Sequence, residues 1–144
     1  MRNSFLIISM LLLSSCAQAQ VLSSKSENSS LFERIGGLPV LTAIVSETID
    51  ESASDPKIKR SFDGVKLSVL KQSVVDQLCV LTGGNCVYEG ETMKNSHHDL
   101  KVTSAEFELF VEVFRTSLNK HVGTREKNEL LKILAPMKRD IVSD

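Results

Sequence analysis

Tryptophan is absent from this 144-residue chain, tyrosine occurs once, and aromatics together make up 5%. An aromatic platform for stacking single-stranded nucleic acid has no material to be built from. No charge of one sign dominates. The 17 Lys and Arg nearly balance the 18 Asp and Glu, and no basic cluster stands out, so a nucleic-acid partner is not expected. Three cysteines are too few for a disulfide scaffold, and they form neither a CxxC pair nor a CxxCH haem-attachment motif. What remains, 42% hydrophobic and 24% charged residues, is the composition of one globular domain rather than of a disordered chain.

The longest apolar run is Phe5 to Leu13, nine residues after the basic Arg2. A membrane-spanning helix needs about 20. A basic start, a short apolar run and small residues after it describe a secretory signal over residues 1–19. Two cleavage sites compete. Leu13-Ser14-Ser15-Cys16 has the form of a lipobox, which would put a lipid anchor on Cys16, and Ala17-Gln18-Ala19 has the form of an ordinary signal-peptidase site. Either use exports the protein, as a periplasmic protein or a membrane-anchored lipoprotein; an uncleaved anchor is the alternative. Residues 20–29, polar and rich in serine, read as a flexible linker, with the folded domain over 30–142.

The domain has helical periodicity throughout. Ser29 or Ser30 can cap a short helix carrying Leu31, Phe32 and Ile35, which Gly36-Gly37 stops. A second helix begins near Pro39, with Leu41, Ile44, Val45, Thr48 and Ile49 on one stripe, and ends at Asp55-Pro56. Leu67, Leu70, Val74, Leu78 and Leu81 form the stripe of a third, ended by Gly83-Gly84. A short helix is expected over Glu91 to His98. Thr103 or Ser104 then caps a long one with Phe107, Phe110, Val111, Phe114 and Leu118 on one face. Beyond Gly123 a last helix carries Leu130, Ile133, Leu134, Met137 and Ile141, and Pro136 within it should kink it or cost a hydrogen bond. No segment alternates as a strand does, so the fold class is all-α.

The segment between Gly84 and Thr103 holds two of the three histidines. Met93 and His97 are four apart and share a helix face, whereas His98 turns toward water. His121 ends the long helix, where a cation suits the dipole. Zinc would need three or four ligands at spacings these residues do not offer. There is no G-x-S-x-G nucleophile, and the paired glycines are helix stops, not phosphate cradles. One neutral imidazole on an apolar wall can hold haem iron from one side, leaving the other open to a gas. Residue pattern alone more often means an ordinary structural histidine at a helix end. Cys79 and Cys86 leave two alternatives open as well: a disulfide pinning the helix end to the loop, or a small core residue and a free thiol.

Five motifs in order add to this. They are Leu31-Phe32-Glu33-Arg34-Ile35-Gly36-Gly37; Asp55-Pro56-Lys57-Ile58 with Phe62; Thr82-Gly83-Gly84 with Tyr88-Glu89-Gly90; Met93-Lys94-Asn95-Ser96-His97; and Leu134 through Val142. Together the span from Ser30 to Val142 resembles a group I truncated globin over essentially the whole family domain. The resemblance implies a two-over-two helical sandwich around one non-covalent haem b, iron protoporphyrin IX. It carries His97 to the proximal iron ligand and Phe62 to the aromatic that packs on the porphyrin. Ile49 falls where many members have an oxygen-bonding tyrosine, Leu70 at the distal position nearest the iron, and Val74 where many have glutamine. Both usual donors are thus replaced by aliphatics. Gln77, near the same face, is a substitute donor or a rim residue facing solvent. Lys94 is a partner for a haem propionate or a plain surface lysine.

The implied function is reversible binding of oxygen or another diatomic gas, nitric oxide or carbon monoxide, at a haem iron able to be five-coordinate. Two alternatives stand beside it: a haem enzyme, acting as a nitric oxide dioxygenase or like a peroxidase and served by an unidentified reductase, and a helical binding module without haem.

Overall fold

The computed structural model describes residues 29–143. The signal segment over 1–19, the lipidation site at Cys16 and nearly all of the 20–29 linker lie outside the described residues.

Ser30 opens α1 (Leu31–Ile35) with a reciprocal capping box: its hydroxyl accepts from the Glu33 amide and the Glu33 carboxylate accepts from the Ser30 amide, both at 3.2 Å. Gly36, at φ 110°, ends α1 and at once precedes α2 (Gly37–Ser54). A side chain there would occupy a strained left-handed conformation and meet Val40 at 2.7 Å. The second helix therefore starts at Gly37, two residues before the Pro39 start expected from sequence, because the left-handed glycine reverses the chain without a spacer. A 3-10 turn (Lys59–Phe62) follows, then α3 (Leu67–Leu81), the short α4 (Met93–His97), α5 (Ser104–His121) and α6 (Thr124–Leu134). Pro136 does more than kink the last helix. It lies in a 3-10 turn (Ala135–Met137), after which the chain continues as a separate α7 (Lys138–Ile141), since proline offers no amide to the α-helical ladder.

Helix α2 packs along both α3 and α5, and α5 packs on α6, giving two helices over two; α1 braces α2 and α6, and α4 lies against α7. Among the described residues there is no strand, only an isolated parallel bridge between Val102 and Val142. No described helix is long and apolar enough to cross a membrane.

The centre of the core is Leu41, Ile44, Leu118 and Leu130, all without exposed surface. The α3 stripe departs from the sequence expectation. Val75, Leu78 and Cys79 are buried, whereas Leu67, Leu70, Val74 and Leu81 are only partly so. Periodicity finds an apolar arc on a helix but does not say which edge of that arc meets the core and which lines a cleft.

The Cys79–Cys86 pair forms a disulfide, with Cα atoms 6.0 Å apart. It joins the end of α3 to the loop leading to α4. The turn between them is tight: a Cβ on Gly84 would come within 2.5 Å of the Cys79 sulfur and 2.9 Å of the Phe32 ring, so only glycine fits.

Candidate functional site

Helix α4 is little more than one turn, begun by Thr92, whose hydroxyl accepts from the Asn95 amide at 3.2 Å. Its last residue, His97, is partly buried. The His97 Nδ1 lies 2.9 Å from the Met93 carbonyl oxygen and 3.0 Å from Ser96 Oγ. A carbonyl can only accept, so Nδ1 carries the ring proton. Ser96 Oγ is consistent with this: its own proton goes to the Thr92 carbonyl at 2.9 Å, leaving a lone pair toward the imidazole. Nε2 is then the unprotonated nitrogen and has no protein partner among the described residues. A backbone acceptor on one nitrogen, fixing the tautomer and freeing the other, is the usual support for a metal-ligating histidine.

The other two histidines are spoken for. His98 is 68% exposed and pairs with Asp99 at 2.9 Å. His121 Nε2 contacts Glu47 Oε1 at 2.8 Å, and Lys120 reaches the other carboxylate oxygen at 3.2 Å, which ties α5 to α2. The bond to His121, then that to Lys120, holds the Glu47 carboxyl below its ordinary pKa. Among the described residues no cluster of three or more His, Cys, Asp or Glu could hold a bare metal ion. A single imidazole is an incomplete ligand set for a bare ion and would suit a metal already held by a macrocycle.

A separate group of side chains is apolar. Ile49 on α2 is 3% exposed and belongs to the core, and Phe62, Leu70 and Val74 are partly buried against it, with Phe110 and Leu134 from the other layer. A run of apolar side chains left half-covered inside a domain is what a flat apolar group would complete. Gln77 is also partly buried; its amide nitrogen lies 3.9 Å from the Met93 sulfur, so it links α3 to α4 one turn before His97. Lys94 is exposed and borders, with His97, His98, Lys101 and Arg139, a polar cleft of about 230 Å³.

Residues 30–143 match the family model for bacterial-like globins. The chain belongs to that family. A group 1 truncated haemoglobin of Mycolicibacterium paratuberculosis is 27% identical over 120 residues, 83% of this chain and 88% of that protein. Among solved structures, the truncated haemoglobin of Tetrahymena pyriformis in its Fe(III) form superposes with a TM-score of 0.75 at 21% identity, covering 81% of this chain and all of the other. The 2/2 haemoglobin of Synechococcus sp. PCC 7002, in the cyanomet state with covalently attached haem, gives 0.74 at 22% identity, over 79% and 98% of the two chains. The architecture of this globin is thus the truncated-haemoglobin fold, and haem and gas binding is the role its family carries.

One residue of the neighbourhood has no signature in the sequence. Arg60, in the turn before Phe62, reaches across to the backbone just after His97 and to Glu106 on α5. The residues it joins are 40 to 46 positions apart, and no local pattern marks such a contact.

Proposed function

We propose that this globin holds haem b without a covalent link, with His97 Nε2 as its one protein ligand to iron, and binds a diatomic gas reversibly outside the cytoplasm. The observation that carries the proposal is the Nδ1 bond to the Met93 carbonyl, which leaves Nε2 as a bare lone pair; the half-covered apolar side chains packed on the core would take the ring. Haem, when bound, supplies an iron with an open face for oxygen, nitric oxide or carbon monoxide. The chain supplies the rest. Phe62 packs on the ring, Ile49, Leu70 and Val74 exclude water from the gas side, and Lys94 offers a cation at the polar edge for a propionate.

The aliphatic pocket sets the selectivity. Oxygen polarises on binding and gains from a donor, whereas carbon monoxide and nitric oxide depend on one far less. A donor to a charged acceptor contributes about 1.5–3 kcal/mol, which is roughly tenfold to a hundredfold in release rate. With Ile49 and Val74 in place of donors, oxygen leaves quickly unless Gln77 turns from Met93 toward it. Export follows from the signal-like residues 1–19, with anchoring if Cys16 is the lipidated residue.

The test is an absorption spectrum of hemin-reconstituted wild type beside His97→Ala. A strong Soret band in the first and its loss or collapse in the second is the expected result. Colourless wild type, or equal spectra, ends the proposal. Oxygen release measured in wild type and Gln77→Leu decides the donor, since equal rates remove Gln77 from it.

A further inference from the structure

We propose that Arg60 is the positioning residue of the proximal side: its guanidinium sets the conformation of the chain that leaves His97, and through it the seating of the imidazole on iron. This rests on the haem reading given above.

The geometry is a fork with four of its five N–H donors engaged. Arg60 Nη1 donates to the Leu100 carbonyl at 2.8 Å and Nη2 to the Lys101 carbonyl at 2.9 Å. Nε and Nη2 also donate to the two carboxylate oxygens of Glu106, at 2.5 and 2.6 Å. Only arginine presents donors in one rigid plane that can satisfy a carboxylate and two backbone carbonyls together. Glu106 is fixed in turn, since its Oε2 also accepts from the Thr103 amide and hydroxyl, each at 2.9 Å, as part of the capping box of α5. The anchor point therefore does not drift with a free side chain.

The stretch it holds needs holding. Residues 98–103 lie between α4 and α5 outside any long helix, and Lys101 sits at φ 49°, the left-handed region that a side-chain-bearing residue adopts at a cost. Such a conformation persists only where the surroundings impose it. Arg60 imposes it from one flank. From the other, Val102 bridges to Val142 and its carbonyl accepts from the Ser143 amide at 3.0 Å. The link to His97 is short: the Leu100 amide donates to the His97 carbonyl at 3.1 Å, so the carbonyl that Arg60 grips belongs to the residue closing the turn on the histidine. Because Arg60 is two residues before Phe62, one side chain fixes the spacing between the ring-packing aromatic and the iron-ligating histidine, which lie on different segments.

The experiment uses the haem-loaded full chain and three variants, Arg60→Ala, Arg60→Lys and Glu106→Gln. Its readouts are the iron–histidine stretching band of the ferrous protein by resonance Raman, the rate of hemin transfer to apomyoglobin, and far-ultraviolet circular dichroism as a check of folding. Arg60→Ala is expected to shift and broaden the band and to speed hemin loss on the order of tenfold, the scale of one charge-assisted bond. Arg60→Lys keeps the charge facing Glu106 but not the fork, and should resemble Arg60→Ala. Glu106→Gln spares both carbonyl bonds and keeps one side-chain oxygen for the guanidinium, so its thermal midpoint should fall while its band moves clearly less than those of the Arg60 variants. If Arg60→Ala does not fold, Arg60→Lys carries the comparison. A folded Arg60 variant with wild-type band and hemin loss overturns the proposal, and so does a Glu106→Gln band moved as far as that of the Arg60 variants. Wild type without a Soret band is a different outcome: it overturns the haem reading, and this one with it.

Discussion

Cutting the Cys79–Cys86 disulfide tests the link between α3 and the loop to α4 with a magnitude that the fold supplies. The bridge spans a sequence separation of 7, a short closed loop. In the chain-entropy model a loop of that size removes about 2.5 kcal/mol of freedom from the unfolded chain. No cavity term offsets or adds to this on reduction, because Cys79, with no exposed surface, stays in place as a small apolar thiol. For a domain of this size 2.5 kcal/mol corresponds to a fall of about 10 °C in Tm. Far-ultraviolet circular dichroism melts of wild type and Cys86→Ser, each with and without a phosphine reductant, give the answer. Wild type in reductant should fall to the melting point of Cys86→Ser, and that variant should be indifferent to reductant. A wild-type shift under about 2 °C, or an equal shift in the variant, refutes the reasoning: the loop would then be held by packing of Gly84 against Phe32 and not by the cross-link.

Three further outcomes follow from named contacts. Glu106 has its carboxyl lowered from 4.5 to about 2, first by the bond from Arg60 and then by those from Thr103. A lowered pKa means that the folded state prefers the ionised form, so the contribution is whole above about pH 4.5 and is lost as pH falls toward 2. Acid titration of stability should show that limb in wild type and a flatter one in Glu106→Gln; equal limbs would exclude Glu106 as its source. Leu118→Ala, at a site with no exposed surface, should cost about 2–5 kcal/mol in urea unfolding with m unchanged. A cost below about 1 kcal/mol would mean that the two helical layers close over the gap. Ile49→Tyr restores a hydroxyl to the gas side and should slow oxygen release by roughly tenfold to a hundredfold in stopped-flow mixing; an unchanged rate would show that position 49 does not face the bound gas.

The local devices of this fold were legible in the residues themselves. Ser30 with Glu33, and Thr103 before the long helix, announce helix starts because a cap is a contact across three residues. Gly36, Gly83 and Pro136 announce ends because they change what one backbone position can do. The His97 turn was legible for the same reason, since Met93 and His97 are one turn apart and the carbonyl that fixes the imidazole belongs to that turn. Tertiary structure decided what depends on distance through space. It chose the disulfide over the free thiol, set Leu70 and Val74 at the half-covered edge of the α3 arc while Val75 and Leu78 went to the core, and laid the amide of Gln77 against Met93. It also brought Arg60 to Leu100, Lys101 and Glu106. Periodicity and capping act over three or four residues and are written in the local sequence. A guanidinium gripping a carbonyl 40 residues away depends on how two helical layers settle on each other, and only the packed molecule fixes that.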